Sequence, residues 1–186
     1  MQIVGGKFRG RLLHSPNNRS IRPTNSRTKK AIFDILIHVY PEILNDGRVL
    51  DMFAGTGSIG FEALSRGCRH VLFIDNNIDS IRLIRRNAEL LGVESNCDIF
   101  CINILNLGKI GNIKPFRFLY LDPPYGKGLA QKALNIVYNG GWLEYNALVI
   151  VEDYIGSNIS FRDDFKLLQN RRYGDSQVYF FCYNPT

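Results

Sequence analysis

The sequence predicts an α/β protein built on a mainly parallel sheet. From residue 48 onward, short apolar segments alternate with helical segments, which is typical of strands joined by crossover helices. The apolar segments are near-continuous, as in strands that helices cover on both faces. The last two apolar segments are joined by the turn "YGDS" without a helix, so we expect them to end the sheet as an antiparallel hairpin.

The N-terminal part is expected to form a separate extension. Residues 2–13 predict a short β-hairpin, in which "QIV" and "RLL" flank the turn "GGKFRG". The following segment "SPNNRSIRPTN" has the composition of a loop. A helix is expected from Ser26, because apolar residues recur at helical spacing between Ala31 and Val39, and Pro41 ends it. We therefore divide the chain into a basic hairpin and loop at residues 1–25 and a main domain at residues 26–186.

The main domain contains seven predicted strands and three further helices. The strands are "RVLDMF", "HVLFID", "CDIFCI", "FRFLYL", "ALVIVE" and the two strands of "FKLLQNRRYGDSQVYFFCY". The helices are "GSIGFEALSRG", "DSIRLIRRNAELLG" and "GLAQKALNIVYNGG". Gly67 and Gly92 are placed to close the first two of these helices.

Composition is that of an ordinary globular domain. The 186 residues suit one domain, and 45% hydrophobic with 22% charged residues is typical of such proteins. No apolar run approaches the ~20 residues that span a bilayer, and the N-terminus lacks a signal-peptide pattern. We expect a cytoplasmic monomer without a membrane contact. The four cysteines lack zinc-ligand spacing, so buried, reduced thiols and no metal site are expected.

Positive charge is concentrated at the N-terminus. The formal net charge is +6, yet residues 1–30 contain eight basic residues and no acid, which leaves the rest of the chain slightly acidic. A local basic block of this kind favours contact with nucleic-acid phosphates. The alternative is a solvated basic arm without a partner.

A glycine loop follows the first predicted strand of the main domain, in "VLDMFAGTGSIG". Gly55, Gly57 and Gly60 match the G-x-G-x-x-G pattern, which dinucleotide sites also carry. Asp51 lies just ahead of the loop, where it would repel a pyrophosphate but would suit a cationic amino group, as in the methionine part of S-adenosylmethionine. Asp75, at the end of the next strand, can accept both hydroxyls of a ribose. The alternative is that Asp51 only caps the turn.

A second polar segment, "LDPPY", follows a later strand, and ligands bind beyond the carboxyl ends of parallel strands. An exocyclic amine on a base is a poor nucleophile, because its lone pair is delocalised into the ring. Asp122 and the carbonyl of Pro123 can accept the amine hydrogens, and Tyr125 offers a face on which a flipped base stacks. The alternative is a Pro-Pro turn with Asp122 as a cap and Tyr125 in the core.

Taken together, these motifs resemble class I S-adenosylmethionine-dependent methyltransferases of the amino type, which carry [DNS]-P-P-[YFW]. The segments "IVGGKFRGRLL", "RPTNSRTKKAIFDIL", "LDMFAGTGSIGFEALSRG", "RNAELLG" and "LDPPYGKG" are similar to the bacterial small-subunit rRNA (guanine-N2)-methyltransferase family over nearly the whole chain. The resemblance implies a Rossmann-like sheet of seven strands with a small N-terminal β-hairpin extension. It also implies methylation of the 2-amino group of one guanine in 16S rRNA, usually called position 966, within an assembled small-subunit particle.

The resemblance further implies a role for each site residue. Arg22 and Thr24 lie where the family folds its N-terminal loop over the cofactor, and Asn103 replaces the acidic residue that methyltransferases usually have near the adenine. The implied residues around S-adenosylmethionine are Arg22, Thr24, Asp51, Phe53, Ala54, Gly55, Thr56, Gly57, Asp75, Asn76, Asn103 and Ile104. The implied catalytic elbow is Asp122, Pro123, Pro124 and Tyr125. The implied contacts to RNA phosphates are Lys7, Arg9, Arg11, Arg27 and Lys30.

Three other functions fit part of the pattern. A DNA adenine-N6 methyltransferase also uses D-P-P-Y, but little chain remains for a separate domain that reads DNA sequence. A dinucleotide-dependent oxidoreductase is disfavoured by Asp51. A catalytically inactive RNA-binding module is disfavoured because Asp51 and D-P-P-Y are both intact.

Overall fold

The computed structural model describes residues 1–15, 26–124, 126–157 and 159–185. The helices of these ranges are α1 (Ser26–Val39), α2 (Pro41–Leu44), α3 (Ser58–Ser65), α4 (Ile78–Leu91) and α5 (Leu129–Gly140). The strands are β1 (Arg48–Met52), β2 (His70–Asp75), β3 (Cys97–Cys101), β4 (Phe116–Leu121), β5 (Leu143–Tyr154), β6 (Phe165–Tyr173) and β7 (Ser176–Tyr183). Within the described ranges, the longest helices have 14 residues, and none combines the length and apolar character that crossing a membrane requires.

These strands form one sheet in the order β3-β2-β1-β4-β5-β7-β6. The first five are parallel, and β7 pairs antiparallel with both β5 and β6. The prediction of a mainly parallel seven-stranded sheet with an antiparallel C-terminal hairpin is therefore confirmed. Because β2, β1 and β4 are adjacent and parallel, the loops that follow them leave the same edge of the sheet side by side. The strand order reverses between β1 and β4, where ligands bind in sheets of this kind.

Helices cover both faces of the sheet, which explains why its central strands are apolar throughout. Ile32 of α1, Phe61 of α3 and Ile84 of α4 are buried on one face. Leu134 of α5 is buried on the other face together with Trp142. A Cβ atom on Gly60 would overlap the ring of Phe73, so glycine lets α3 pack directly against β2.

The N-terminal extension is docked on this domain. The predicted hairpin is closed by one antiparallel bridge, between Gln2 and Leu12, and does not form longer strands. Ile3 and Leu13 are buried in the domain core, so alternate residues of the extension face inward. The backbone N–H of His14 donates to Oδ1 of the fully buried Asn87 at 2.8 Å, which fixes the extension to α4.

Glu62 is the main polar anchor of the extension. Its side chain is fully buried and accepts hydrogen bonds from the backbone N–H groups of Val4, at 3.1 Å, and Gly5, at 3.0 Å. It also forms ion pairs with Lys29, at 3.3 Å, and with Arg66. Lys29 belongs to the basic block of the sequence, yet it is 2% exposed. Burial lowers the pKa of Lys29, and the charge of Glu62 offsets part of that effect.

The four cysteines are free thiols. Burial raises the pKa of Cys68 and of Cys97 to about 12, so both are held as unreactive thiols. The expectation that all four are buried holds for Cys68, whereas Cys97 and Cys182 are half-buried and Cys101 is exposed. Cys101 ends β3, and β3 is an edge strand with a neighbour on one side only.

Candidate active site

Three carboxylates mark the ends of three adjacent parallel strands. Asp75 ends β2, Asp51 lies next to the last residue of β1, and Asp122 follows β4. Asp51 pairs with Tyr120 across β1 and β4, so the glycine loop and the D-P-P segment leave the sheet next to each other. This juxtaposition is the arrangement that the two sequence motifs predict.

The glycine loop has an unusual backbone. Gly55 and Gly57 have φ angles of 53° and 72°, in the left-handed region that glycine adopts without strain. Phe53 has a φ of 63°, which costs a bulky residue about 1–3 kcal/mol and is found mostly at functional sites. A Cβ atom on Gly57 would collide with Phe61 and would press on Ile84, so the loop can lie this close to α3 and α4 only with glycine.

Asp51 is held inside the protein. The side chain is 2% exposed, and Oδ2 accepts a hydrogen bond from the backbone N–H of Gly60 at 3.0 Å. Burial raises the pKa of Asp51 well above its ordinary value, and the negative charges of Asp122 and Asp75 raise it further. The capping role that was the alternative is therefore present, and contact with a cofactor amino group stays a prediction.

Replacing Asp51 with asparagine is expected to increase the free energy of unfolding at neutral pH. The pKa of Asp51 is raised in the folded state. At pH values above the ordinary pKa of a carboxyl group, the folded protein therefore still holds a proton that the unfolded chain has lost. The stability of the wild-type protein consequently falls as the pH rises. The increase in the free energy of unfolding caused by Asp51→Asn should therefore be absent at low pH and become larger as the pH rises. Urea unfolding between about pH 4 and pH 8 measures it. An equal difference between the two proteins at every pH would contradict the raised pKa.

Asp75 is fixed by backbone donors on both sides. Gly55 N–H donates to Oδ2 and Asn77 N–H donates to Oδ1, each at 2.8 Å. Each carboxylate oxygen has a second lone pair, so the group keeps acceptor capacity for a ribose. Asn76 beside it is exposed. The hydrogen bond from Gly55 joins the end of β2 to the glycine loop, as expected if both hold one ligand.

After β3, Asn103 is the N-cap of a short 3₁₀ helix, Ile104–Asn106, in which Ile104 is the first residue. Asn103 is exposed, and its Oδ1 accepts a hydrogen bond from the backbone N–H of Leu105 at 3.0 Å. The N-cap role of Asn103 is enough to explain an asparagine at this position, even if its side chain contacts no ligand. Ile104 is buried in the core. The contact of Asn103 with the adenine and the contact of Ile104 with the cofactor stay predictions.

The catalytic elbow is described in part. Asp122 is half-buried, Pro123 is buried and Pro124 is exposed. Tyr125 lies outside the described residues, as do Arg22 and Thr24, so their predicted roles stay predictions. The phosphate-contact candidates are all exposed, on the extension and on α1: Lys7, Arg9, Arg11, Arg27 and Lys30.

Two buried residues next to the elbow were not predicted. The hydroxyl of Tyr120 donates to Oε2 of Glu152 at 2.8 Å. Tyr120 is 1% exposed and Glu152 is 4% exposed. The sequence does contain a signal for Glu152, because it follows an apolar strand just as Asp51, Asp75 and Asp122 do.

Comparison with known proteins agrees with this geometry. The sheet order and the glycine loop define the Rossmann-like fold of S-adenosylmethionine-dependent methyltransferases. The fold alone is shared with an RNA methyltransferase of Salinibacter ruber in complex with S-adenosyl-L-homocysteine, with a TM-score of 0.66, 14% identity, and 89% of this chain and 95% of that chain covered. Residues 1–182 match the family described as "Conserved hypothetical protein 95", and the chain belongs to that family.

Relatives with curated names are similar over most of their length. The ribosomal RNA small subunit methyltransferase D of Haemophilus influenzae is 31% identical over 176 residues, which are 94% of this chain and 89% of the relative. The protein of the same name from Escherichia coli K12 is 32% identical over 161 residues, 86% of this chain and 77% of the relative. The solved structure of yhhF from Escherichia coli has a TM-score of 0.86 at 25% identity, covering 100% of this chain and 99% of that chain.

Proposed function

We propose that this protein transfers a methyl group from S-adenosylmethionine to the exocyclic 2-amino group of a guanine in 16S rRNA of the small ribosomal subunit. The observation that carries the proposal is the adjacency of the glycine loop after β1 and the D-P-P segment after β4. The names of the relatives support rRNA as the substrate class. The choice of guanine N2 rests on the motif resemblance.

The residues at this edge fit S-adenosylmethionine. Asp75 would hold the ribose hydroxyls, and Asp51 would face the amino group from beneath the loop. The glycine loop brings its backbone close to the ligand where Cβ atoms would intrude. When bound, the cofactor supplies an electrophilic methyl group on a positively charged sulfur. The carboxylates of Asp75 and Asp122 at this edge would complement that positive charge.

The chemistry required of the protein is positioning and hydrogen-bond acceptance. Asp122 accepts one hydrogen of the target amine and the carbonyl of Pro123 accepts the other, so the nitrogen lone pair turns out of the ring plane toward the methyl carbon. Held in this way by Asp122 and Pro123, N2 would receive the methyl group that the bound cofactor supplies, and the electron pair of the broken carbon–sulfur bond would stay on the departing thioether. N2 then loses one proton, which Asp122 can hold before it passes to water.

The substrate in this proposal is rRNA within a small-subunit particle or its assembly intermediate, in the cytoplasm, and the enzyme acts as a monomer. The exposed cations on the extension and on α1 would contact phosphates around the target base. The docked extension supports this assignment, since it holds Lys7, Arg9 and Arg11 on a fixed surface of the domain.

Charge reversal at Arg9 and Arg11 is expected to weaken binding to small-subunit particles while leaving S-adenosylmethionine affinity unchanged. Each lost phosphate contact should reduce the slope of log affinity against log salt by about one. Filter binding across a salt series measures the slope, and calorimetry measures cofactor affinity. Reversal at Arg85 and Arg86, exposed on α4, is the matched control. Equal losses of RNA and cofactor affinity would instead mean that the two arginines support the fold.

One assay separates the proposed function from its rival. Purified protein and labelled S-adenosylmethionine are offered small-subunit particles and duplex DNA side by side, and mass mapping of the rRNA identifies the base. Methyl incorporation into one guanine of the particle is expected. Incorporation only into DNA adenine would overturn the proposal in favour of an adenine-N6 methyltransferase.

A further inference from the structure

Tyr120 and Glu152 form a buried hydrogen-bonded pair beneath the catalytic elbow. Tyr120 lies in β4, two residues before Asp122, and Glu152 lies near the end of β5. The donor and acceptor oxygens are 2.8 Å apart, and both side chains are almost completely excluded from solvent. Burying a carboxylate is costly, so its retention next to a reactive site calls for an explanation.

The register of the sheet brings Glu152 next to Asp122. Across β4 and β5, Tyr120 pairs with Ile150 and Leu121 pairs with Val151. Asp122 and Glu152 are the residues that directly follow this last pair, so they leave the paired part of β4 and β5 at the same end. On the other side of β4, Asp51 lies directly opposite Tyr120. The Tyr120 hydroxyl therefore has one hydrogen to donate and lies within electrostatic range of three acidic residues, Asp122, Glu152 and Asp51.

Electrostatics keep that hydrogen on Tyr120. Burial raises the pKa of Tyr120 well above its ordinary value, and the charges of Asp122, Glu152 and Asp51 raise it further. The phenol of Tyr120 is therefore a neutral hydrogen-bond donor at physiological pH. The positions of the neighbouring side chains decide which carboxylate accepts its hydrogen. In the structure that carboxylate is Glu152.

We propose that Glu152 is a positioning residue for methyl transfer, because by accepting the Tyr120 hydrogen it keeps this donor away from Asp122. The inference rests on the proposed function of the site. The Asp122 carboxylate has about four positions that can accept a hydrogen bond. If Tyr120 donated to one of them, that position could no longer accept a hydrogen of the target amine. Without Glu152, the buried hydroxyl would turn to the neighbouring Asp122, weakening it as an acceptor and drawing it toward the sheet.

The test is a double-mutant cycle measured with small-subunit particles. Glu152→Leu is expected to lower kcat about 10- to 100-fold, the range for a misplaced catalytic group, with cofactor affinity and KM within about twofold of wild type. Glu152→Gln should keep most of kcat, since its amide oxygen still accepts the hydroxyl hydrogen. Tyr120→Phe added to Glu152→Leu should restore most of kcat, because the misdirected donor is gone.

Asp153→Leu is the matched control. Asp153 is a buried carboxylate one position along β5, pointing to the other face, and kcat should stay within about twofold of wild type. Wild-type kcat in Glu152→Leu, or a double variant no faster than Glu152→Leu, would overturn the role of Glu152. If Glu152→Leu does not fold, Glu152→Met takes its place in the cycle. A wild-type protein that fails to methylate the particles would overturn the proposed function and this role with it.

Discussion

Replacing Asp122 with alanine is expected to lower kcat for methyl transfer by about 10²- to 10³-fold, the usual effect of removing one preorganised hydrogen-bonding group from an active site. The carboxylate is half-buried at the end of β4, next to the glycine loop, and would accept a hydrogen of the target amine. Without this acceptor the amine lone pair stays delocalised in the ring. Transfer of labelled methyl groups to small-subunit particles measures kcat.

Cofactor binding separates this interpretation from a loss of structure. S-adenosylmethionine affinity, measured by calorimetry, should stay within a few fold of wild type in Asp122→Ala, because Asp51 and Asp75 remain in place. Asp163→Ala, which removes an exposed carboxylate between β5 and β6, is the control and should change neither kcat nor the affinity for S-adenosylmethionine. Unchanged kcat in Asp122→Ala would contradict the acceptor role of the elbow.

Glu62→Ala is expected to cause the largest loss of stability, about 3–5 kcal/mol, which is typical of removing one partner of a buried ion pair. Lys29 and Arg66 would lose their shared counter-charge, and the backbone N–H groups of Val4 and Gly5 would lose their acceptor. Urea unfolding measures the free energy, and the midpoint of thermal unfolding should fall by roughly 6–20 °C for a chain of this size.

A glutamate on the surface gives the matched comparison. Glu89 is exposed on α4, and Glu89→Ala should change the free energy of unfolding by no more than about 0.5 kcal/mol. Glu62→Ala should also weaken binding to small-subunit particles, because the extension that carries Lys7, Arg9 and Arg11 would loosen. A loss below about 1 kcal/mol in Glu62→Ala would mean that the hydrophobic contacts of Ile3 and Leu13 hold the extension by themselves.

The sheet was predictable from sequence because its strands are bounded by strong local signals. Near-continuous apolar runs end in an acid or a glycine turn, and the helices between them end at glycines such as Gly92, which adopts the left-handed conformation after α4. The same logic correctly placed the two motif loops on one edge. It did not give the length of β5, which begins at Leu143, ahead of the apolar run "ALVIVE". Polar residues such as the half-buried Glu144 and the exposed Asn146 carry no apolar signal.

The polar interior was harder to predict than the sheet. Lys29 counts as one positive charge in the composition of the N-terminal block, and only the position of Glu62, 33 residues later along the chain, makes it a buried ion pair. Tyr120 and Glu152 are likewise 32 residues apart, and their contact depends on the register between β4 and β5. Local sequence patterns contain no information on such pairings, whereas Asp51 and Asp122 were found because each lies next to a recognisable motif.

The hydrogen bond between His14 and Asn87 joins residues 73 positions apart. During synthesis, residues 1–15 leave the ribosome well before α4 has been translated. Backbone groups such as the N–H of His14 therefore have no hydrogen-bond partner in the chain until later residues, such as Asn87, have been added. The extension can dock only after the glycine loop and both helices behind it have formed. Its basic surface is therefore assembled late, and under the proposed function a nascent chain would bind RNA only once the part of the domain that contains the glycine loop has folded.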